Sequence, residues 1–198
     1  IAGNPKMKVL VIGAETLSAR VNWEDRNTCI LFGDGAGACV LSGSSTRGVI
    51  DSCLFSDGNL WQLLYMDSPA SRNPDLEVAG RKGCFIQMTG RDVFKHAIRA
   101  MEKAVIELLE RQELSVDDIS LFIPHQANIR ILDKLTARLG LDRKKIFINV
   151  DKYGNTSAAS IPIALDEANR QGRLQQGDKV LFCSFGGGFT WGSMLMHW

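Results

Sequence analysis

The chain has 198 residues, a formal net charge of +1, 45% hydrophobic and 23% charged residues. Such values are ordinary for a globular protein, and so balanced a charge gives no electrostatic case for nucleic acid as partner. No apolar run approaches the ~20 residues of a membrane-spanning helix.

Ile1-Ala-Gly-Asn-Pro-Lys6 reads as a short loop, not a signal peptide, and so abrupt a start is expected of a piece of a longer protein. Lys8–Gly13 is an almost unbroken apolar run of strand length, as buried strands are. A polar stretch follows, then Thr28–Phe32 as a strand, a glycine loop Gly33–Gly37, and strand pattern again at Ala38–Leu41. Another strand falls near Gly48–Phe55. Residues 56–82 read as a long surface excursion, of the kind that tends to be functional or flexible. It ends at a strand over Cys84–Met88.

Thr89 and Asp92, at capping-box spacing, open a helix with Phe94, Ala97, Ile98, Met101, Val105, Leu108 and Leu109 on one stripe. Ile119–Pro124 is a strand leading into His125. The next helix carries Ile129, Leu132, Leu135 and Leu139, with Gly140 at its C′ position. Ile146–Val150 is a strand, Thr156–Gln171 a helix closed by Gly172, and Lys179–Phe185 and Thr190–Trp198 are strands. Pro162 removes one backbone hydrogen bond from that helix, which predicts a kink or a later start. Alternation of strands and helices from residue 83 onward predicts a layered α/β fold with a largely buried sheet. A weak echo between the Lys8 and Lys179 strands, each near a glycine-rich stretch, predicts a duplicated half.

Three places carry chemistry. His125 stands where a strand ends and a helix begins, the edge at which open α/β sheets bind ligands. Its flanks Pro124, Gln126 and Asn128 raise it above an ordinary structural histidine. Asn155, in Lys152-Tyr-Gly-Asn-Thr-Ser-Ala-Ala-Ser160, is a favoured helix N-cap, and on spacing alone that plain role leads. Its amide also has the chemistry to donate to developing negative charge. Phe185-Gly-Gly-Gly-Phe189 is a tight turn by default, and bare glycines also expose backbone N–H groups. The five cysteines (Cys29, Cys39, Cys53, Cys84, Cys183) lack CxxC spacing and read as reduced thiols of a cytoplasmic protein. The histidines are scattered, so no metal site is visible.

Taken in order, FGDGAGACVL (32–41), PHQANIRI (124–131), YGNTSAAS (153–160) and FGGGFTWGS (185–193) resemble the thiolase superfamily, and closely the β-ketoacyl-acyl-carrier-protein synthase III family. The resemblance covers essentially the whole chain. It implies a thiolase-like α-β-α-β-α layered fold, with residues 1–45 as the tail of the N-terminal half and 46–198 as the C-terminal half. It implies an initiating condensing enzyme of fatty-acid synthesis that uses acyl-CoA and malonyl-acyl carrier protein as substrates, with no cofactor. The full-length protein is then a homodimer that binds acyl carrier protein and coenzyme A thioesters, with neither nucleic acid nor membrane as partner.

By the same resemblance, His125 and Asn155 hold the malonyl thioester carbonyl and stabilise the enolate left by loss of CO2. Gly187 supplies a backbone N–H to a second oxyanion hole, Phe185 stands near the nucleophile, and Arg26 holds the nucleotide end of coenzyme A. Gln126, Ala127, Asn128, Ile129 and Arg130 form the carrier-protein segment, joined by Lys95 and Arg138, although Ala137 stands where the family has a further lysine. The cysteine nucleophile is expected upstream of Ile1, Cys84 being a poor substitute, so the chain alone is expected to be inactive. Two other readings stay open: another thiolase-superfamily synthase or acyltransferase, and a non-catalytic fragment that binds carrier protein.

Overall fold

The computed structural model describes residues 3–66 and 85–198. In chain order these give β1 (Lys8–Thr16), β2 (Asp34–Ser42), β3 (Gly48–Ser56), β4 (Leu64–Tyr65), β5 (Gln87–Met88), α1 (Gly90–Arg111), β6 (Leu121–Pro124), α2 (Ile129–Leu139), the one-turn α3 (Val150–Tyr153), α4 (Ser160–Arg170), β7 (Lys179–Gly186) and β8 (Thr190–His197). The predicted strand at Cys84 is described only from residue 85 onward, as the short β5, which pairs with β4. Cys84 itself and most of the expected excursion lie outside the described residues. The described start of that excursion is a 3-10 turn, Gly58–Leu63.

A mixed sheet in the order β3-β8-β7-β6 carries the core. β8 runs antiparallel to β3 and β7, and β6 runs parallel to β7. Side chains alternate across it. Phe122, Leu181, Cys183 and Leu195 join the cluster built by α1 and α2, whereas Leu121, Ile123, Val180 and Phe182 join Ala164 and Ala168 of α4. Each large apolar side chain so buried contributes about 1.5–3 kcal/mol. The antiparallel β1–β2 pair also packs on α4. Helices α1 and α2, the sheet, α4 and the β1–β2 pair therefore stack as successive layers.

Several expectations change. Residues 33–37 are not a loop, because all but Gly33 lie inside β2. Glycine is needed there because β1 and β2 lie flat against the chain entering α4. A Cβ on Gly13 would run into the Ala158 carbonyl, and one on Gly37 would lie 2.9 Å from Ile163 N. Thr28–Phe32 is not a strand either. The Asp25 carboxylate accepts from Asn27 N–H (3.0 Å) and the Thr28 hydroxyl (3.0 Å), which holds the segment in turns. Only Phe32 pairs, in an isolated parallel bridge to Asn155.

Ile146–Val150 likewise gives a single bridge, Ile146 to Phe122, before Asn149 is captured by side chains and the chain turns into α3. Thr89 caps α1 by position but makes no side-chain cap bond; a capping box forms instead at Ser115 and Asp118. The α1 stripe is as expected, with Val93 and Ala104 added and Phe94 half-buried. Ile129 is exposed, and Ile131 takes the core position predicted for it. Gly140 ends α2 with φ 66°. The predicted later start holds for α4: it begins at Ser160, so Pro162 falls in the first turn, where a missing N–H costs nothing.

Candidate active site

One cavity of about 370 Å³ lies where β6, β7, α1 and the approach to α4 meet. Its walls are mainly apolar, including Leu64, Met88, Phe94, Met101 and Ile131, and the polar groups His125 and Asn155 share it. That is the size and character of a small-molecule site. Phe185 and Gly187 line it too, so four residues separated by up to 62 positions in sequence converge on one space.

His125 follows the last residue of β6, and its N–H extends the parallel ladder by donating to the Cys183 carbonyl (2.8 Å). The residue is 8% exposed, and burial pulls its imidazole from the ordinary 6.5 down to about 4. It is therefore neutral at physiological pH, and its tautomer decides what it can donate. Ser160 Oγ lies 2.6 Å from Nδ1 and accepts from the Gln126 N–H (3.3 Å). Where the Ser160 hydroxyl donates to Nδ1, the ring proton sits on Nε2, which is then a hydrogen-bond donor.

Asn155 is fixed at both backbone groups. Its N–H donates to the Leu31 carbonyl (2.8 Å), and its carbonyl accepts from the Gly33 N–H (2.9 Å). The preceding Gly154 has φ 67°, which makes the turn out of α3 possible. The Asn155 side-chain oxygen accepts from the Ser157 N–H (2.9 Å). The carboxamide is oriented by that bond, which leaves its NH2 as the donating end.

Gly187 sits in the turn between β7 and β8. That turn is tied down by reciprocal backbone bonds between Phe189 and Asp57, at 2.7 and 2.8 Å, and by packing of the Phe185 and Phe189 rings at 4.7 Å. Arg26, in contrast, is exposed on the turn after Val21 and does not line the cavity.

The predicted carrier-protein segment divides in three. Gln126 is 1% exposed and bonds to the carbonyls of Pro124 (2.8 Å) and Phe147 (3.2 Å). Its side chain offers no docking surface, which corrects that assignment. Ala127 and Asn128 line the cavity; Asn128 also caps α2 by accepting from the Arg130 N–H (2.8 Å). Ile129, Arg130 and Lys95 are exposed, and Arg138 is held by Glu102 (2.6 Å).

Sequence reasoning passed over Ser160, although it closes the quoted 153–160 segment; only the fold shows it beside His125. Cys53 and Cys183 are buried, and burial pushes the Cys183 thiol up, away from a reactive thiolate. Among the described residues no cysteine lines the cavity, no group of three or more potential ligands is placed to hold a metal, and no helix is long and apolar enough to cross a membrane.

Layering and site together define a thiolase-like α/β protein. The family model for 3-oxoacyl-[acyl-carrier-protein (ACP)] synthase III matches residues 1–58, and that for its C-terminal part matches residues 109–198. The β-ketoacyl-[acyl-carrier-protein] synthase III of Desulfotalea psychrophila is 55% identical over 199 residues, an overlap covering 100% of this chain and 61% of that protein. Crystal structures of the synthases III from Aquifex aeolicus and Thermus thermophilus superpose with TM-scores of 0.87 and 0.86 at 45% and 46% identity. Each covers 96% of this chain, and 58% and 59% of those proteins respectively. The chain belongs to the 3-oxoacyl-[acyl-carrier-protein] synthase III family. It spans about three-fifths of the length of these relatives.

Proposed function

We propose that this protein condenses an acyl-CoA primer with malonyl-acyl carrier protein, releasing CO2, as the initiating step of fatty-acid synthesis. The observation that carries this reading is that His125, beside Ser160, and Asn155, anchored by the Ser157 N–H, line one mainly apolar cavity. Both donate to the carbonyl oxygen of the malonyl thioester. The bond between the malonyl α-carbon and its carboxylate breaks, CO2 leaves, and the electron pair becomes an enolate whose oxygen the two donors hold. The enolate carbon then attacks the acyl thioester on a cysteine. The Gly187 N–H helps hold the second oxyanion, and Phe185 walls the space where CO2 departs. Neutral donors suit this task, because the reaction needs charge stabilisation and no strong base.

Arg26 serves the nucleotide end of coenzyme A outside the cavity, and Lys95 and Arg130 meet the acidic carrier protein. Their exposure supports that reading. A division near residue 45 is supported by β1 and β2 pairing apart from the sheet that β3 joins. A reducing, cytoplasmic setting is supported by four unpaired cysteines among the described residues. The full-length protein is a homodimer by family likeness. None of the described cysteines lines the cavity, which supports the reading that the chain alone forms no acyl-enzyme.

The test uses full-length synthase. His125→Ala and Asn155→Ala each lower malonyl-carrier-protein decarboxylation by about 10²–10³, with acylation by acyl-CoA retained. Decarboxylation at the wild-type rate in either variant contradicts the assignment.

A further inference from the structure

We propose that Glu167 is a positioning residue for Asn155, and through Asn149 and Gln126 ties it to His125; the inference rests on the function proposed above. Glu167 projects from α4 towards the segment that precedes Asn155, and its carboxylate gathers three donors from that segment. Oε2 accepts from Asn149 Nδ2 (2.8 Å), and Oε1 accepts from Lys152 Nζ (3.0 Å) and from the Tyr153 hydroxyl (3.0 Å). Two peptide links beyond Tyr153 is Asn155. Towards the other donor, the Asn149 N–H donates to Gln126 Oε1 (3.0 Å), and Gln126 Nε2 donates to the Pro124 carbonyl (2.8 Å). Pro124 and Gln126 flank His125. A continuous hydrogen-bonded route therefore joins the backbone beside one donor to the backbone beside the other.

The need for such a route follows from the length of α3. Four residues, Val150–Tyr153, cannot hold a helical turn unaided, since nucleation is unfavourable and so few bonds follow it. Its direction is set by whatever grips it, and Glu167 grips both ends, at Asn149 and at Tyr153. The arms differ in weight. Lys152 is half-exposed, and such a pair contributes little. Asn149 is 2% exposed, and its amide left without an acceptor would bear the cost of an unsatisfied buried group. Burial raises the Glu167 carboxyl, but the bonds from Asn149, Lys152 and Tyr153 outweigh it and leave the group below the usual carboxylate range, so it is charged at neutral pH.

In full-length synthase, Glu167→Ala lowers the turnover of malonyl-carrier-protein decarboxylation about tenfold. The KM for acyl-CoA and the rate of enzyme acylation stay within twofold. Glu167→Gln, which keeps one acceptor for Asn149, recovers part of the loss and serves as the deciding variant if the alanine protein does not fold. In a crystal structure of either variant, the 149–155 segment and the Asn155 amide shift while β6 and His125 stay in place. Decarboxylation within twofold of wild type in both variants overturns the proposal. So does an equal fall in acylation and decarboxylation, which marks general loss of structure. If wild-type enzyme fails to decarboxylate malonyl-carrier protein, the proposed function falls, and the position of Asn155 in the variant crystals still decides the role of Glu167.

Discussion

In the proposed decarboxylation, His125 acts as a neutral hydrogen-bond donor. Burial keeps His125 unprotonated down to about pH 4, against 6.5 for a free imidazole. The unfolded chain therefore binds this proton more readily than the folded one, and stability rises with pH between those two values. Acidification from pH 7.5 to 5 is expected to cost wild type about 2 kcal/mol through this residue alone. Urea unfolding of wild type and His125→Asn at both pH values measures it: the wild type loses the extra stability, and the variant does not.

Ser160 belongs to the same scale. Ser160→Ala frees Nδ1 to carry the proton, so decarboxylation falls about tenfold with little change in the KM for acyl-CoA. Steady-state kinetics at fixed carrier-protein concentration would show it. A change in KM alone would mean that Ser160 shapes the pocket and leaves the tautomer untouched.

At the scale of elements, the periodic segments were the legible ones. The α1 stripe, the strands ending at Pro124 and starting at Lys179, and the Gly140 stop all follow from local pattern. The misread segments are those where a distant partner overrides local preference. Gly33, Gly35 and Gly37 look like loop residues, yet Gly35 and Gly37 are strand residues whose missing side chains admit the chain that delivers Asn155. Ile146–Val150 has strand composition, yet Gln126 and Glu167 take Asn149 out of any ladder. That close approach is testable. Gly37→Ala places a methyl against Ile163 N and Pro162 Cβ, at 2.9 and 3.0 Å, and is expected to destabilise by about 1–3 kcal/mol in urea unfolding.

For the whole molecule, the layered stack explains why the candidate site was only half visible beforehand. His125 and Asn155 stood out through motif order, but their convergence depends on α4 lying between the sheet and the β1–β2 pair, with Asn155 clamped to residues 31–33. Such long-range placement leaves no periodic trace in sequence. The cavity also lacks a cysteine among the described residues, so the isolated 198-residue chain is expected to take up no label from radiolabelled acetyl-CoA. Stable labelling of any of its cysteines would show that the chain carries its own nucleophile.

All of this rests on two uncharged donors meeting at a single oxygen atom. The measurement that reaches it most directly is a crystal structure of the full-length protein with a malonyl thioester analogue that cannot lose CO2. The expected result is a thioester carbonyl within about 2.7–3.2 Å of both His125 Nε2 and Asn155 Nδ2. A carbonyl bound by only one of them, or an analogue seated elsewhere in the protein, would contradict the account.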